Sequence, residues 1–122
     1  MNIKKVGVVG CGLMGHGIVQ VAAQGGCTVI ALETEQAYLD KGISRIEKSI
    51  AKLASKDVKK GKLTEDQAKD WATEVRGRIT GSINREDLAD CDLVVEAIVE
   101  DLDAKKELFG ALGKLCKAET IF

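Results

Sequence analysis

A short apolar run leading straight into a glycine loop constrains this chain more than any other feature. From Lys5 it reads Lys-Val-Gly-Val-Val-Gly-Cys-Gly-Leu-Met-Gly, continues through an apolar helix-like stretch, and then reaches Thr-Val-Ile-Ala-Leu-Glu at Glu33. Strand, Gly10-x-Gly12-x-x-Gly15, helix, second strand and acidic terminus, in that order, are what a dinucleotide site requires. Gly10 permits the tight turn out of the strand, and Gly12 lets backbone approach a pyrophosphate. Gly15 allows close helix–strand packing, while the helix N-terminus offers free N–H donors and partial positive charge. Glu33 stands where a carboxylate would accept hydrogen bonds from an adenosine ribose. Glycines alone also mark ordinary turns; the flanking strands and the acidic residue in register carry the reading.

At 122 residues the chain is one domain, able to bury a single core but small for an enzyme holding two substrates. A formal net charge of -1 argues against non-specific nucleic-acid binding, which needs a basic surface. No apolar run approaches a membrane span, and Ile3 to Val9 reads as a strand feeding the loop rather than a signal peptide. Cys11, Cys27, Cys91 and Cys116 have neither CxxC spacing nor clustered histidines, His16 being the sole histidine, so no metal site is expected. Small buried thiols in a reducing cytoplasm are the expectation.

Along the chain, Ile3–Gly10 is a near-continuous apolar strand of the kind buried on both faces of a parallel sheet. Leu13–Gln24 follows as a helix packing through Ile18, Val19, Val21, Ala22 and Ala23, and Gly25-Gly26 ends it. Cys27–Leu32 is the second strand, completing a right-handed βαβ unit. About Gln36–Lys60, apolar residues at Leu39, Ile43, Ile46, Ile50 and Leu53 predict a long helix, broken at Gly61. Thr64-Glu65-Asp66-Gln67 is a capping box that starts another. Ile79–Ile83 is a third strand, Arg85–Cys91 a helical turn, Asp92–Ala97 a fourth strand, and Leu102–Cys116 a last amphipathic helix. Thr120-Ile121-Phe122 opens a β-branched stretch, the expected start of a fifth strand beside the fourth. The fold class is therefore α/β: a Rossmann-type doubly wound parallel sheet with a helical-pair insert between strands 2 and 3, truncated at strand 5. An incomplete edge of this kind predicts pairing between copies.

On the long inserted helix, Ile43, Ile46, Ile50 and Leu53 share one face, and Lys48, Lys52, Lys56 and Lys59 cluster opposite. Ser49 and Lys56 line up to within about 20° on the border of the apolar face. A solvated helix face and an edge that receives a phosphate-bearing ligand are both open readings of these residues.

Taken together, the chain resembles the 3-hydroxyacyl-CoA dehydrogenase family, which includes 3-hydroxybutyryl-CoA dehydrogenases. The resemblance runs over the whole chain. It rests on Val8-Val9-Gly10-Cys11-Gly12-Leu13-Met14-Gly15-His16-Gly17-Ile18, on the helical insert after Glu33, and most specifically on Asp92-Leu93-Val94-Val95-Glu96-Ala97-Ile98-Val99-Glu100 followed by Lys105-Lys106-Glu107-Leu108-Phe109. The resemblance implies an NAD cofactor, with Gly10, Gly12, Leu13, Met14 and Gly15 forming the pyrophosphate loop. Glu33 stands where the family usually has Asp; its carboxylate would repel a 2′-phosphate and no Arg follows it directly, which favours NAD over NADP. Ala97, Glu100 and Lys105 map onto the other cofactor-lining positions, although Lys105 is also placed to pair with Asp101 along its helix. Glu96 would contact the cofactor or cap the next helix. Ser49 and Lys56 match the family's positions against the CoA moiety.

By the same resemblance, no catalytic residue lies in this chain: the family's catalytic histidine and its partners follow the fifth strand, in a helical catalytic and dimerisation domain. His16, in the first turn of the glycine-loop helix, matches no catalytic position. Residues 1–122 are thus expected to be an NAD-binding domain that binds without turnover. The intact protein would be a cytoplasmic homo-oligomer acting on acyl-CoA in fatty-acid or butanoate metabolism, with no nucleic-acid or membrane partner. The Rossmann domain of a β-hydroxyacid dehydrogenase that uses no CoA, and a stand-alone NAD-binding module, are the alternatives.

Overall fold

Alternating burial on both sides is what a run such as Val6, Val8 and Val9 demands, and parallel pairing in mid-sheet supplies it. The computed structural model describes residues 3–10, 15–97, 102–116 and 121. Strand β1 (Lys5–Val9) lies between β2 (Thr28–Leu32) and β4 (Leu93–Glu96), and β3 (Ile79–Ser82) lies outside β2. The resulting order is β3-β2-β1-β4, with every pairing parallel. Lys5 stands opposite Thr28, Val9 opposite both Leu32 and Glu96, and Leu32 opposite Ser82. The carboxyl ends of the four strands therefore finish along one edge. Beside β4, Ile121 pairs in parallel with Leu93, its N–H donating to the Asp92 carbonyl (2.9 Å) and its carbonyl accepting from Val94 N–H (2.7 Å). A fifth strand was expected at this position.

Helices α1 (Gly15–Gln24), α2 (Gln36–Lys59) and α3 (Glu65–Gly77) cover one face, closing a core of Val6, Val8, Val19, Val29, Leu39, Ile46, Ile50, Val75 and Ile79. A 3-10 turn (Arg85–Leu88) and α4 (Leu102–Leu115) cover the other, around Val9, Ile30, Leu32, Leu88, Cys91, Val94, Leu108 and Leu112. The crossovers after β1 and after β4 run in opposite directions along the sheet. One handedness then sends their helices to opposite faces, which makes the sheet doubly wound. The helical pair between β2 and β3 is present as expected. Its capping box is complete: Thr64 Oγ1 accepts from Gln67 N–H (3.1 Å), and Gln67 Oε1 accepts from Thr64 N–H (2.9 Å).

The packing face of α1 differs from the sequence expectation. Val19 and Ala23 are fully buried, whereas Val21 is 68% exposed and Gln20 is buried in its place. Residues four apart share a helix face and a residue midway between them points away, so an apolar cluster does not by itself say which members turn inward. The four strands are also one to three residues shorter than the runs expected from sequence, and Ile3 and Ile83 lie partly in solvent.

Among the described residues, no helix is long and apolar enough to cross a membrane. No group of three or more His, Cys, Asp or Glu among them could hold a metal ion.

Candidate cofactor site

The chain leaves β1 toward β2 on one side, while β4 is reached on the other. The carboxyl ends of β1 and β4 thus bound the crevice at which open α/β sheets bind ligands. Gly10 leaves β1 at φ +95°, a conformation that glycine adopts without the strain a Cβ would bring. Its N–H donates to the Leu32 carbonyl at 2.8 Å, so the turn stays fastened to β2. On the other side, Ala97 N–H donates to the Val9 carbonyl at 2.8 Å, extending the β1–β4 ladder to the rim. Gly15 is the first residue of α1. Gly12, Leu13, Met14 and Glu100 fall outside the described residues, and so does Cys11. Lys105 belongs to α4 and His16 to α1 by backbone, with their side chains outside what is described.

Glu33 follows β2 directly and is half-buried. Its N–H donates to the Ser82 carbonyl (3.0 Å), and its Oε1 accepts from Thr34 N–H (3.0 Å). The carboxylate is held at the rim of a cavity of about 490 Å³, a size that suits a small-molecule ligand. Val9, Leu32, Ile83 and Leu108 supply its apolar lining, and Glu33, Thr34, Asn84, Arg85, Glu86 and Glu107 its polar lining. Apolar surface with a carboxylate at its edge matches an adenosine, whose base has flat faces that pack on apolar side chains and whose ribose offers hydroxyl donors.

The wall after β3 is braced from below. Buried Ser82 hydrogen-bonds through its hydroxyl to the Asp87 carboxylate and accepts from Asn84 N–H (2.9 Å). Across the top, Arg85 Nη1 and Nη2 donate to the two carboxylate oxygens of Glu107 at 2.9 and 3.3 Å. That hydrogen-bonded contact holds the Glu107 carboxyl below the usual carboxylate range and raises the Arg85 guanidinium further.

Ser49 and Lys56 both lie on α2, Ser49 half-buried and Lys56 exposed, and no residue of α2 lines this cavity. The structure therefore groups Gly10, Glu33 and Ala97 along one rim and leaves the α2 pair apart from them. Sequence reasoning missed the wall made by Ile83, Asn84, Arg85 and Glu107. Once the strand order is known, the loop after β3 must begin at the same edge as Glu33, but that order is a long-range property.

Comparison with known proteins agrees with this geometry. Residues 5–122 match the family model described as 3-hydroxyacyl-CoA dehydrogenase, NAD binding domain. A probable 3-hydroxybutyryl-CoA dehydrogenase of Deinococcus radiodurans is 49% identical over 117 residues, which is 96% of this chain and 39% of that protein. The crystal structure of (S)-3-hydroxybutyryl-CoA dehydrogenase from Ralstonia eutropha superposes with a TM-score of 0.83 at 31% identity, over 98% of this chain and 40% of that one. The Mycobacterium tuberculosis FadB2 structure gives a TM-score of 0.82 at 36% identity, again over 98% of this chain and 40% of its own. This chain spans about two-fifths of the length of these relatives. A glycine turn at a sheet switch point, an acidic residue ending the second strand and a match that runs from Lys5 to Phe122 together make the chain a member of the 3-hydroxyacyl-CoA dehydrogenase family, corresponding to its NAD-binding domain.

Proposed function

We propose that this chain forms the cofactor cradle of an NAD-dependent 3-hydroxyacyl-CoA dehydrogenase, an enzyme interconverting a 3-hydroxyacyl-CoA and its 3-oxoacyl-CoA. The observation carrying this reading is Glu33 at the rim of an apolar cavity, beside the crevice flanked by Gly10 and Ala97. Gly10, Gly12, Leu13, Met14 and Gly15 form the pyrophosphate loop, Gly10 making the turn with its own N–H held by Leu32 and the later residues turning backbone N–H groups to the phosphates. Glu33 accepts from the adenosine ribose, and Ala97, Glu100 and Lys105 line the path toward the nicotinamide. Bound NAD would accept the hydride from the substrate's 3-hydroxyl carbon. On α2, Ser49 donates a hydrogen bond and Lys56 a positive charge to the CoA phosphates. The three free thiols among the described residues, Cys27, Cys91 and Cys116, suit a reducing cytoplasm. Assembly of the intact enzyme into a homo-oligomer belongs to the same reading.

The test is an assay of the full-length protein with NAD and 3-hydroxybutyryl-CoA. Glu33→Ala should weaken NAD by about tenfold, the loss of a charged hydrogen-bond acceptor. Ser49→Ala with Lys56→Ala should instead raise KM for the acyl-CoA and leave that for NAD unchanged. Absence of NADH formation at every acyl-chain length would overturn the dehydrogenase reading. Activity on a 3-hydroxy acid lacking CoA, indifferent to Ser49 and Lys56, would transfer it to a different dehydrogenase.

A further inference from the structure

Among the described residues lining the cavity with Glu33, Arg85 is the one basic side chain, and both of its terminal nitrogens donate to Glu107. The guanidinium fork is also the group best shaped to grip a phosphate in two places. An arginine at the adenosine end of a dinucleotide site would ordinarily invite a 2′-phosphate. Here its fork is already filled by a carboxylate from α4. Lys106 and Lys114 line the adjoining outer groove and are not among the cavity residues. We infer that Glu107 is a specificity-determining residue: by occupying Arg85, it withholds from the cavity the cation that NADP would need.

The inference rests on the NAD reading above and adds a second device to the repulsion by Glu33. Glu33 acts by its own charge, while Glu107 acts by what it keeps away. Both partners of the pair are substantially exposed, with side-chain accessibilities of 41% for Arg85 and 68% for Glu107. Exposed pairs are held weakly, so removing the carboxylate frees the guanidinium without disturbing the core.

Fluorescence titration of this chain with NADH and NADPH tests the proposal. In Glu107→Gln, NADPH affinity should rise about threefold to tenfold while NADH changes by less than about twofold, and the gain should shrink as salt is added. Arg85→Ala combined with Glu107→Gln should abolish the gain. Glu86→Gln removes a carboxylate from the same cavity and leaves the Arg85–Glu107 pair in place, so it should give a smaller gain. An unchanged NADPH-to-NADH ratio in Glu107→Gln, or an equal gain in Glu86→Gln or in the double variant, overturns the role of Glu107 alone. Failure of the unsubstituted chain to bind NADH would overturn the NAD reading and this proposal with it. Circular dichroism of each variant separates these outcomes from unfolding.

Discussion

Gly7 occupies the tightest spot in β1, on the side facing the 3-10 turn and β4. A Cβ built there would stand 2.6 Å from Leu88 Cδ2 and 3.1 Å from Cys91 Sγ. Both neighbours are fully buried, so neither has free space into which to retreat. Gly7→Ala should therefore destabilise the chain by about 1–3 kcal/mol, the usual cost of overpacking. A lower urea midpoint with an unchanged slope would register it. An unchanged midpoint would mean that the second cluster has slack the packing does not suggest. This requirement is invisible in the sequence, where Gly7 looks like any break in an apolar run. Gly10 is the opposite case: the loop spacing singles it out, and a φ of +95° gives the reason.

At the level of elements, Asp92 joins the start of β4 to the start of β1. Its Oδ2 accepts from Lys4 N–H (2.9 Å) and Lys5 N–H (3.0 Å), and its own N–H donates to the Lys5 carbonyl (2.8 Å). The first residue of the Asp-Leu-Val-Val-Glu-Ala motif is thus a stitch at the amino edge of the sheet, across the strands from the cofactor rim. Asp92→Ala should cost about 1–2 kcal/mol through the loss of two hydrogen bonds to a charged acceptor, with NADH affinity unchanged. Thermal melts and the titration described above give both readings, and a parallel fall in affinity would refute the separation. Arg78 acts similarly between helices, donating from Nη1 to the Ala23 carbonyl at the end of α1 (2.7 Å) and from Nη2 to Glu74 (2.8 Å). The capping box at Thr64 was readable in advance because its partners lie three residues apart. Asp92 and Arg78 were not, because theirs lie on other elements.

Over the whole molecule, two apolar clusters on opposite faces share the sheet, and Cys91 lies wholly inside the second. Burial pushes its thiol from an ordinary value of 9.0 up to about 11. The folded state therefore holds this proton more tightly than the unfolded state. Its contribution to stability is complete below pH 9 and is lost as pH rises from 9 toward 11. Denaturant midpoints across that window should fall more steeply for the parent chain than for Cys91→Ala; equal slopes would contradict the assignment. The same burial leaves little thiolate at neutral pH, so Cys91 should resist alkylation until the chain unfolds.

By itself the sequence determined what local spacing can encode. This covers the strand–glycine loop–helix–strand order, the acidic residue at Glu33, the Thr64 capping box and the amphipathic stripe of α2. Each depends on residues a few positions apart, where backbone periodicity sets who meets whom. Only the tertiary structure decided that the loop after β3 closes the cavity beside Glu33, that Glu107 from α4 engages Arg85, and that Asp92 serves the sheet rather than the site. Those contacts depend on strand order and on which face each crossover takes. Both are settled by joint burial of two apolar clusters, which no short window of sequence contains.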